Sequence, residues 1–345
     1  MFPYVNKVMR RKMQETTEKV AVQRFSACTG IVARFVAMLL VLFHLSGKVS
    51  AQYDVHFNHY WMVENFYNPA AMNLNEQLNL VGTYSLQMAG YTNAPSSMYF
   101  GANMLMPVQG KRQAAGVALF NEEIGLFSHR RILANYSYKF KFSRSWLNIG
   151  VQGGFLNESF DYSDIKTVDP NDPAFPSGDS EGTAFDFGAG LYYKHRTWHL
   201  GASVQHLTSP TVRYGKSNTN VELKIPMALF LTGGCNIRLT NPLLQVQPSF
   251  QACSDLDAYR IDLTCRGTYT YQEKMFYAGL TYSPATSVAF LLGGCVKGVT
   301  VGYAYELYTQ GVGIMNGSHD LVVGYSMDVD LFKKGRNRHK TVRYL

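Results

Sequence analysis

The chain has 345 residues, a formal net charge of +8 and a mean hydropathy of −0.12. Charged residues make up 16% of it and aromatic residues 14%, with 30 glycines and 23 tyrosines. This composition argues against a helical enzyme and is typical of an all-β protein.

The first 51 residues have the pattern of an export signal. Basic residues precede an apolar run from Phe35 to Gly47, which is too short to span a bilayer as a helix. The run is followed by Val49-Ser50-Ala51, which satisfies the small-residue rule for signal peptidase. We therefore predict a signal peptide over residues 1–51, with a membrane anchor as the alternative interpretation.

The positive charge is concentrated at the two ends of the chain. Residues 1–51 carry eight basic and two acidic side chains, and residues 333–345 carry six basic side chains and no acidic ones. The body between them has a net charge of about −4, so a basic surface for nucleic acid is not supported. The basic tail over residues 333–345 is either a solvated, frayed end or a patch that docks on an acidic periplasmic partner or on cell-wall material.

Residues 52–78 precede the first predicted strand and are predicted to form a separate N-terminal segment. They have the polarity of a surface segment, yet they include Phe57, Trp61 and other aromatic residues that require burial. Asn68 and Pro69 are suited to a turn, because proline fixes φ and asparagine tolerates tight backbone geometry.

From residue 79 onwards, apolar and polar residues alternate, which predicts strands with two different faces. In the clearest example, Ile261 and Leu263 fall on one face while Asp262 and Thr264 fall on the other. The same pattern predicts about fourteen strands, at 79–88, 96–107, 113–121, 128–142, 145–157, 184–194, 197–206, 226–238, 243–253, 258–270, 274–283, 286–295, 299–308 and 318–332.

The length of these strands and the rhythm of their connections favour a membrane barrel over a soluble sandwich. Most strands are about ten residues long or longer, enough to cross a bilayer at a tilt. Short turns such as Ser143-Arg144 alternate with longer loops such as 161–183 and 207–224. We predict an all-β, transmembrane outer-membrane β-barrel of about 14 antiparallel strands over residues 79–332, with periplasmic termini.

The segment 52–78 then has a predicted place at the periplasmic mouth of the barrel. We expect it to fold back as a plug or cap, with its turn at Asn68-Pro69 and its aromatic side chains packed within. The candidate plug or partner-binding residues are Phe66, Tyr67, Asn68, Pro69, Ala70 and Ala71.

Polar residues on the inward face of the strands have two interpretations. They line a pore or anchor a plug, or they fill a narrow barrel with paired charges. The predicted set is Arg260, Asp262, Arg266, Glu306, Asp328 and Asp330.

The sequence predicts no catalytic site, cofactor or metal centre. The histidines do not have the spacing of metal ligands. Ser203, His206 and Asn236 could form the Ser/His/Asn set of a barrel esterase, but nothing in the sequence selects these three residues over others. The loop that contains Asp169 and Asp172 has a weaker interpretation as a calcium site. The phasing puts Cys235 and Cys265 on the lipid side and Cys253 and Cys295 on the lumen side, which favours thiols over disulfides, although an exported chain could also pair them.

Three stretches resemble the PorP/SprF family of outer-membrane proteins of the type IX secretion system of Bacteroidota. They are "FNHYWMVENFYNPAAMN" (57–73), "DPAFPSG" (172–178) with the following strands, and "GSHDLVVGYSMDVDLF" (317–332). The family more often has an aromatic and a small residue where Met72-Asn73 stands.

The resemblance implies a non-enzymatic role in protein secretion. It implies export or surface attachment of cargo with C-terminal sorting domains, gliding adhesins in some members, and partners among the other secretion components and the membrane lipid. A passive uptake channel for apolar or small solutes is the alternative function, and an outer-membrane hydrolase is a third.

Overall fold

A computed structural model describes residues 53–72, 77–108, 111–161, 180–214, 221–284, 286–309 and 317–328. The predicted signal peptide, the calcium-loop acids, Asp330 and the basic tail lie outside these ranges. The strands are β1 (Gln77–Leu86), β2 (Ser96–Val108), β3 (Lys111–Ile124), β4 (Phe127–Lys141), β5 (Ser145–Phe160), β6 (Ser180–His195), β7 (Trp198–Gln205), β8 (Thr211–Tyr214), β9 (Val221–Lys224), β10 (Ala228–Cys235), β11 (Ile237–Arg238), β12 (Leu244–Ser254), β13 (Tyr259–Tyr271), β14 (Lys274–Ser283), β15 (Ser287–Val296), β16 (Val299–Tyr308) and β17 (Ser318–Asp328).

Except for β8 and β9, the described strands form one closed antiparallel barrel. Neighbouring strands pair in chain order, and β1 pairs with β17 to close the sheet. β10 and β11 both pair with β12 in a single continuous register, so together they form one strand of the wall. The described residues thus form a closed barrel of 14 strands, which confirms the predicted fold class.

One pair of strands lies outside the wall and was missed by the prediction. β8 and β9 form a separate hairpin between β7 and β10, within the predicted loop 207–224. Val212 of this hairpin is buried beside Leu156 and Phe160. β5 and β6 also extend further than predicted, so that they are 16 residues each.

The two ends of the barrel have different connections. We call the short-turn end the one where β1 begins, with the turns after β2, β4, β6, β13 and β15, and the long-loop end the opposite one. In the turn at Lys297-Gly298, the φ angles are +51° and +82°, as a two-residue turn between twisted strands requires.

The outer face of the barrel is apolar and the inner face is polar. Ile132, Phe185 and Leu292 are each 60% exposed or more, whereas Asp262 and Glu306 are almost fully buried inside. A soluble protein does not leave so many large apolar side chains in water, and a lipid-facing barrel surface requires them.

The only helical residues in the described ranges are one turn of α-helix, α1 (Glu64–Tyr67), and a 3₁₀ turn (Pro69–Ala71). Among the described residues, no helix has the length and apolar character needed to cross a membrane.

Candidate functional site

Residues 53–72, which we call the interior segment, lie against the inward-facing side chains of the barrel. At one end, Tyr53 packs beside His129 and His206, at the long-loop ends of β4 and β7. At the other end, Met72 packs beside Leu105, towards the short-turn end of β2. The segment therefore extends along the barrel from the long-loop end to the short-turn end.

This course differs from the predicted cap at the inner mouth. Inward-facing polar and aromatic side chains are present along the length of the wall, so the segment finds partners far beyond one mouth. The prediction also placed both chain ends on one side. Tyr53, the first described residue, instead lies at the opposite end of the barrel from Asp328, where β17 ends.

The backbone of the interior segment folds as two short turns around Asn68. α1 ends at Asn68, whose backbone is extended, with φ −138° and ψ 110°. The Asn68 side chain accepts a hydrogen bond of 2.9 Å from the Ala70 amide, and Pro69 begins the 3₁₀ turn because its fixed φ suits that position. The predicted turn at Asn68-Pro69 is this 3₁₀ turn.

Glycines in the wall make room for this turn. A Cβ atom at Gly150 would clash with the backbone of Pro69 and Ala70, and one at Gly190 would clash with the Asn68 side chain. Glycine inside a strand more often marks a bend or close packing by a neighbouring aromatic ring. The structure shows that at these two positions the glycines admit the interior segment.

Aromatic side chains fill the middle of the barrel. Phe66 and Tyr67 are each 1% exposed, and Phe66 packs edge-on against Tyr99 with a centroid distance of 5.0 Å. Tyr67 packs against Phe230 at 5.2 Å. Edge-to-face aromatic pairs contribute about 0.5–1.5 kcal/mol beyond the burial of their area.

Side chains of β7 satisfy the backbone carbonyls at the end of α1. Ser203 donates a hydrogen bond of 2.8 Å to the Tyr67 carbonyl, and Gln205 donates to the carbonyls of Phe66 and Tyr67. Helix-terminal carbonyls have no partner within the helix, and buried ones require another donor. Ser203 is thus engaged in anchoring the segment, which counts against its use as an esterase nucleophile.

A buried charge network anchors the segment near the long-loop end. The Asp54 carboxylate lies 3.2 Å from the Arg131 guanidinium and 3.3 Å from His206 Nε2, while His206 Nδ1 lies 3.0 Å from the Asp186 carboxylate. Burial alone would lower the pKa of His206, but the Asp54 and Asp186 carboxylates raise it to about 9. Burial would raise the pKa of Asp54, but His206 and Arg131 hold it below its usual value.

A second network joins the segment to β13, β16 and β17. His56 Nδ1 lies 3.3 Å from Asp262, and the Asn58 side chain donates hydrogen bonds of 3.0 Å to Glu306 and 2.8 Å to Asp320. Within the wall, Arg260 binds both Asp262, at 3.0 Å, and Glu306, at 3.2 Å.

The structure thus brings together three of the six inward polar residues that the sequence singled out, Arg260, Asp262 and Glu306. Arg266 is not part of this cluster, and its Cζ lies 3.8 Å from the centre of the Trp61 ring. Asp328 is the last residue of β17.

A cavity of about 350 Å³ remains at the short-turn end, between the interior segment and the wall. We call it the vestibule. Glu64 lines it and accepts a hydrogen bond of 3.0 Å from Tyr192, and burial raises the pKa of Glu64 to about 7. Lys139, Lys194 and Trp146 line it as well.

The sequence analysis did not single out Arg131 and Asp186, the strand residues of the Asp54 network. Arg131 and Asp186 occupy inward positions of β4 and β6, between outward apolar residues such as Ile132 and Phe185. A charged residue at an inward position of an alternating strand was the available signal. Local sequence does not indicate which residue of the segment 53–72 pairs with such a charge. Asp54 and Arg131, for example, are 77 positions apart in the chain.

The cysteines and histidines of the described ranges show no metal centre. No group of three or more His, Cys, Asp or Glu side chains there has the arrangement to hold a metal ion. Cys265 and Cys295 are thiols, and Cys265 is exposed on the outer face.

A family model described as "Type IX secretion system membrane protein PorP/SprF" matches residues 49–325. No curated protein matches the chain. Among solved structures, the toluene transporter TbuX of Ralstonia pickettii is similar, with 14% identity, a TM-score of 0.47 and coverage of 77% of this chain and 92% of that one. The toluene transporter TodX of Pseudomonas putida has 12% identity, a TM-score of 0.46 and coverage of 82% and 96%.

Proposed function

Because the chain belongs to the PorP/SprF family of type IX secretion system membrane proteins, we propose that it is a closed docking component of that system. In this role it supports the export or surface attachment of cargo with C-terminal sorting domains, and it binds periplasmic machinery. The family match over residues 49–325 is the observation that carries the proposal.

The location of the protein and its general class follow directly from fold and family. The chain is an outer-membrane protein, since a closed barrel with an apolar outer face and a polar interior is built for that membrane. Family and fold point to a membrane secretion protein rather than to an enzyme.

The interior segment supports a closed barrel that acts as a plugged docking module. Its residues Phe57, Phe66 and Tyr67 are each 1% exposed or less, and ion pairs and hydrogen bonds attach it to β4, β7, β13, β16 and β17. A solute crossing the barrel would have to displace these contacts. Passive uptake of apolar or small solutes, the alternative, is therefore not favoured.

The orientation of the barrel in the outer membrane is part of the same proposal. Bacterial barrels have short periplasmic turns and longer outer loops, so the short-turn end faces the periplasm. The vestibule and the basic side chains around it would then meet periplasmic partners. The long loops and the β8–β9 hairpin would meet cargo at the cell surface.

A clean deletion tests the proposal. In a Bacteroidota strain that has no second copy of the gene, cargo with a C-terminal sorting domain should accumulate in the periplasm and reappear at the surface on complementation. Surface labelling and cell fractionation measure its distribution, and an outer-membrane protein that does not use this system is the control. Normal display of the cargo in the deletion strain would overturn the proposed function.

A further inference from the structure

The short-turn end concentrates positive charge in one sector of the rim, between β3 and β7. Six lysine and arginine side chains lie there, and the described residues 112–115, 138–148 and 192–200 contain no Asp or Glu. The six are Arg112, Lys139, Lys141, Arg144, Lys194 and Arg196. Like charges at close range repel one another, and an anion bound among them would remove that repulsion.

Two of these cations line the vestibule near the same indole ring. The Nζ atoms of Lys139 and Lys194 lie 4.1 Å and 6.0 Å from the centre of the Trp146 ring. Arg112, Lys141 and Lys194 are close enough to Lys139 for their charges to act on its ammonium group. Within the described part of the chain, neither Lys139 nor Lys194 forms an ion pair with a carboxylate.

The vestibule is also lined by buried asparagine side chains, two of which have an oxygen atom without a partner. Asn65, Asn103 and Asn148 line it and are 5%, 7% and 2% exposed. Asn103 Oδ1 and Asn148 Oδ1 have no hydrogen-bond partner. Buried polar atoms in folded proteins are nearly always paired with protein, water or a ligand, so these two oxygens can accept hydrogen bonds from a polar group that binds in the cavity.

We propose that the vestibule binds an acidic peptide segment of a partner protein. A side-chain carboxylate of the peptide would lie between Lys139 and Lys194, against the face of Trp146. Its backbone N–H groups would donate to the oxygens of Asn103 and Asn148. The inference rests on the proposed function in one respect, which is that the short-turn end faces the periplasm.

The recessed position of the amides favours a peptide over a lipid headgroup. Asn148 donates a hydrogen bond of 3.0 Å to the Ala70 carbonyl, so it lies at the interior segment, inside the wall. Lipid headgroups surround the outer rim of a barrel and have no route to this position. A phosphate group supplies charge for the lysines, but it does not supply the row of N–H donors that the asparagine oxygens require.

Tryptophan fluorescence of the purified full-length protein tests the site, because Trp61 and Trp146 line the vestibule while Trp198 lies on the outer face. The probes are hexaglutamate, hexaglutamine, inorganic phosphate, and vesicles that contain phosphatidylglycerol. We expect a saturable change with hexaglutamate, and affinity about tenfold or more lower in the double variant Lys139→Gln/Lys194→Gln. Lys297→Gln, at an exposed turn of the same end, should bind as the wild type does.

The double variant Lys139→Arg/Lys194→Arg keeps both charges and should retain most of the binding, which separates loss of the site from loss of the fold. Equal binding of hexaglutamine, full competition by phosphate or by the vesicles, or unchanged binding in the glutamine variant would each overturn the proposal. The assay involves no secretion, so a negative result leaves the proposed function to the deletion experiment.

Discussion

The carboxylate of Asp54 lies 3.2 Å from the guanidinium of Arg131, and this ion pair joins the interior segment to β4. Only 3% of the Asp54 side chain and 2% of the Arg131 side chain are exposed. Arg131 also lies over the rings of Phe66 and Phe120, at 4.8 Å and 4.9 Å. One wall residue therefore holds the segment both by charge and by ring contact.

Asp54→Asn should destabilise the protein by about 3–5 kcal/mol, because it leaves the Arg131 charge buried without its partner. The urea midpoint of unfolding in detergent, followed by the heat-dependent shift in gel mobility, measures the loss. Asp257→Asn, at an exposed loop position, is the matched control. Equal stability of the two variants would mean that the ion pair does not hold the segment.

The same network predicts a pH dependence. The pKa of His206 is raised from 6.5 to about 9, mainly by Asp54 against the opposing effect of burial. A raised histidine pKa stabilises the fold fully below about pH 6.5, and the contribution is lost as the pH rises through about 9. We expect a decrease of up to about 3 kcal/mol over this window.

Glu64 affects stability at lower pH than His206 does, and two variants separate the contributions of these two residues. Burial raises the pKa of Glu64 from 4.5 to about 7, so stability also falls as the pH rises between these values. His206→Asn should flatten the upper part of the profile and Glu64→Gln the lower part. Urea midpoints at several pH values between 4.5 and 9 measure both, and an unchanged profile in His206→Asn would contradict the assignment.

The wall of the barrel could be predicted from sequence because its pattern is local. An outward apolar residue next to an inward polar one, such as Leu263 beside Asp262, shows its face without knowledge of any partner. The course of the interior segment could not be derived from a local pattern, because it depends on contacts with distant strands. Its aromatic residues indicate that it is buried, but not that Tyr53 and Met72 lie at opposite ends.

The β8–β9 hairpin shows a second limit. Its strands have four residues each, too few for alternation to stand out from a polar loop. Their register is set by pairing with each other and by burial of Val212 beside Phe160, both of which are tertiary effects. The vestibule is also a tertiary feature, since its lysines come from separate strands and its asparagines from two strands and the interior segment.

Gly190→Leu should displace the interior segment and open the barrel. The added side chain would occupy the place of the Asn68 side chain, whereas at Gly267 the nearest atom to an added Cβ is 3.9 Å away. We expect the wild type and the control Gly267→Leu to be closed in planar bilayers, and Gly190→Leu to conduct ions. An open wild-type channel would contradict closure by the segment, and a silent but folded Gly190→Leu would show that the segment tolerates the change.

The orientation of the barrel can be measured by cysteine labelling. In a variant with Cys235, Cys253, Cys265 and Cys295 replaced by serine, Asp257→Cys marks the long-loop end and Arg144→Cys the short-turn end. A membrane-impermeant maleimide should label position 257 in intact cells and position 144 only after the outer membrane is permeabilised. The reverse result would overturn the orientation. Because Tyr53 and Asp328 lie at opposite ends of the barrel, the expected result would also place residue 53 towards the cell surface, with the vestibule open to the periplasm.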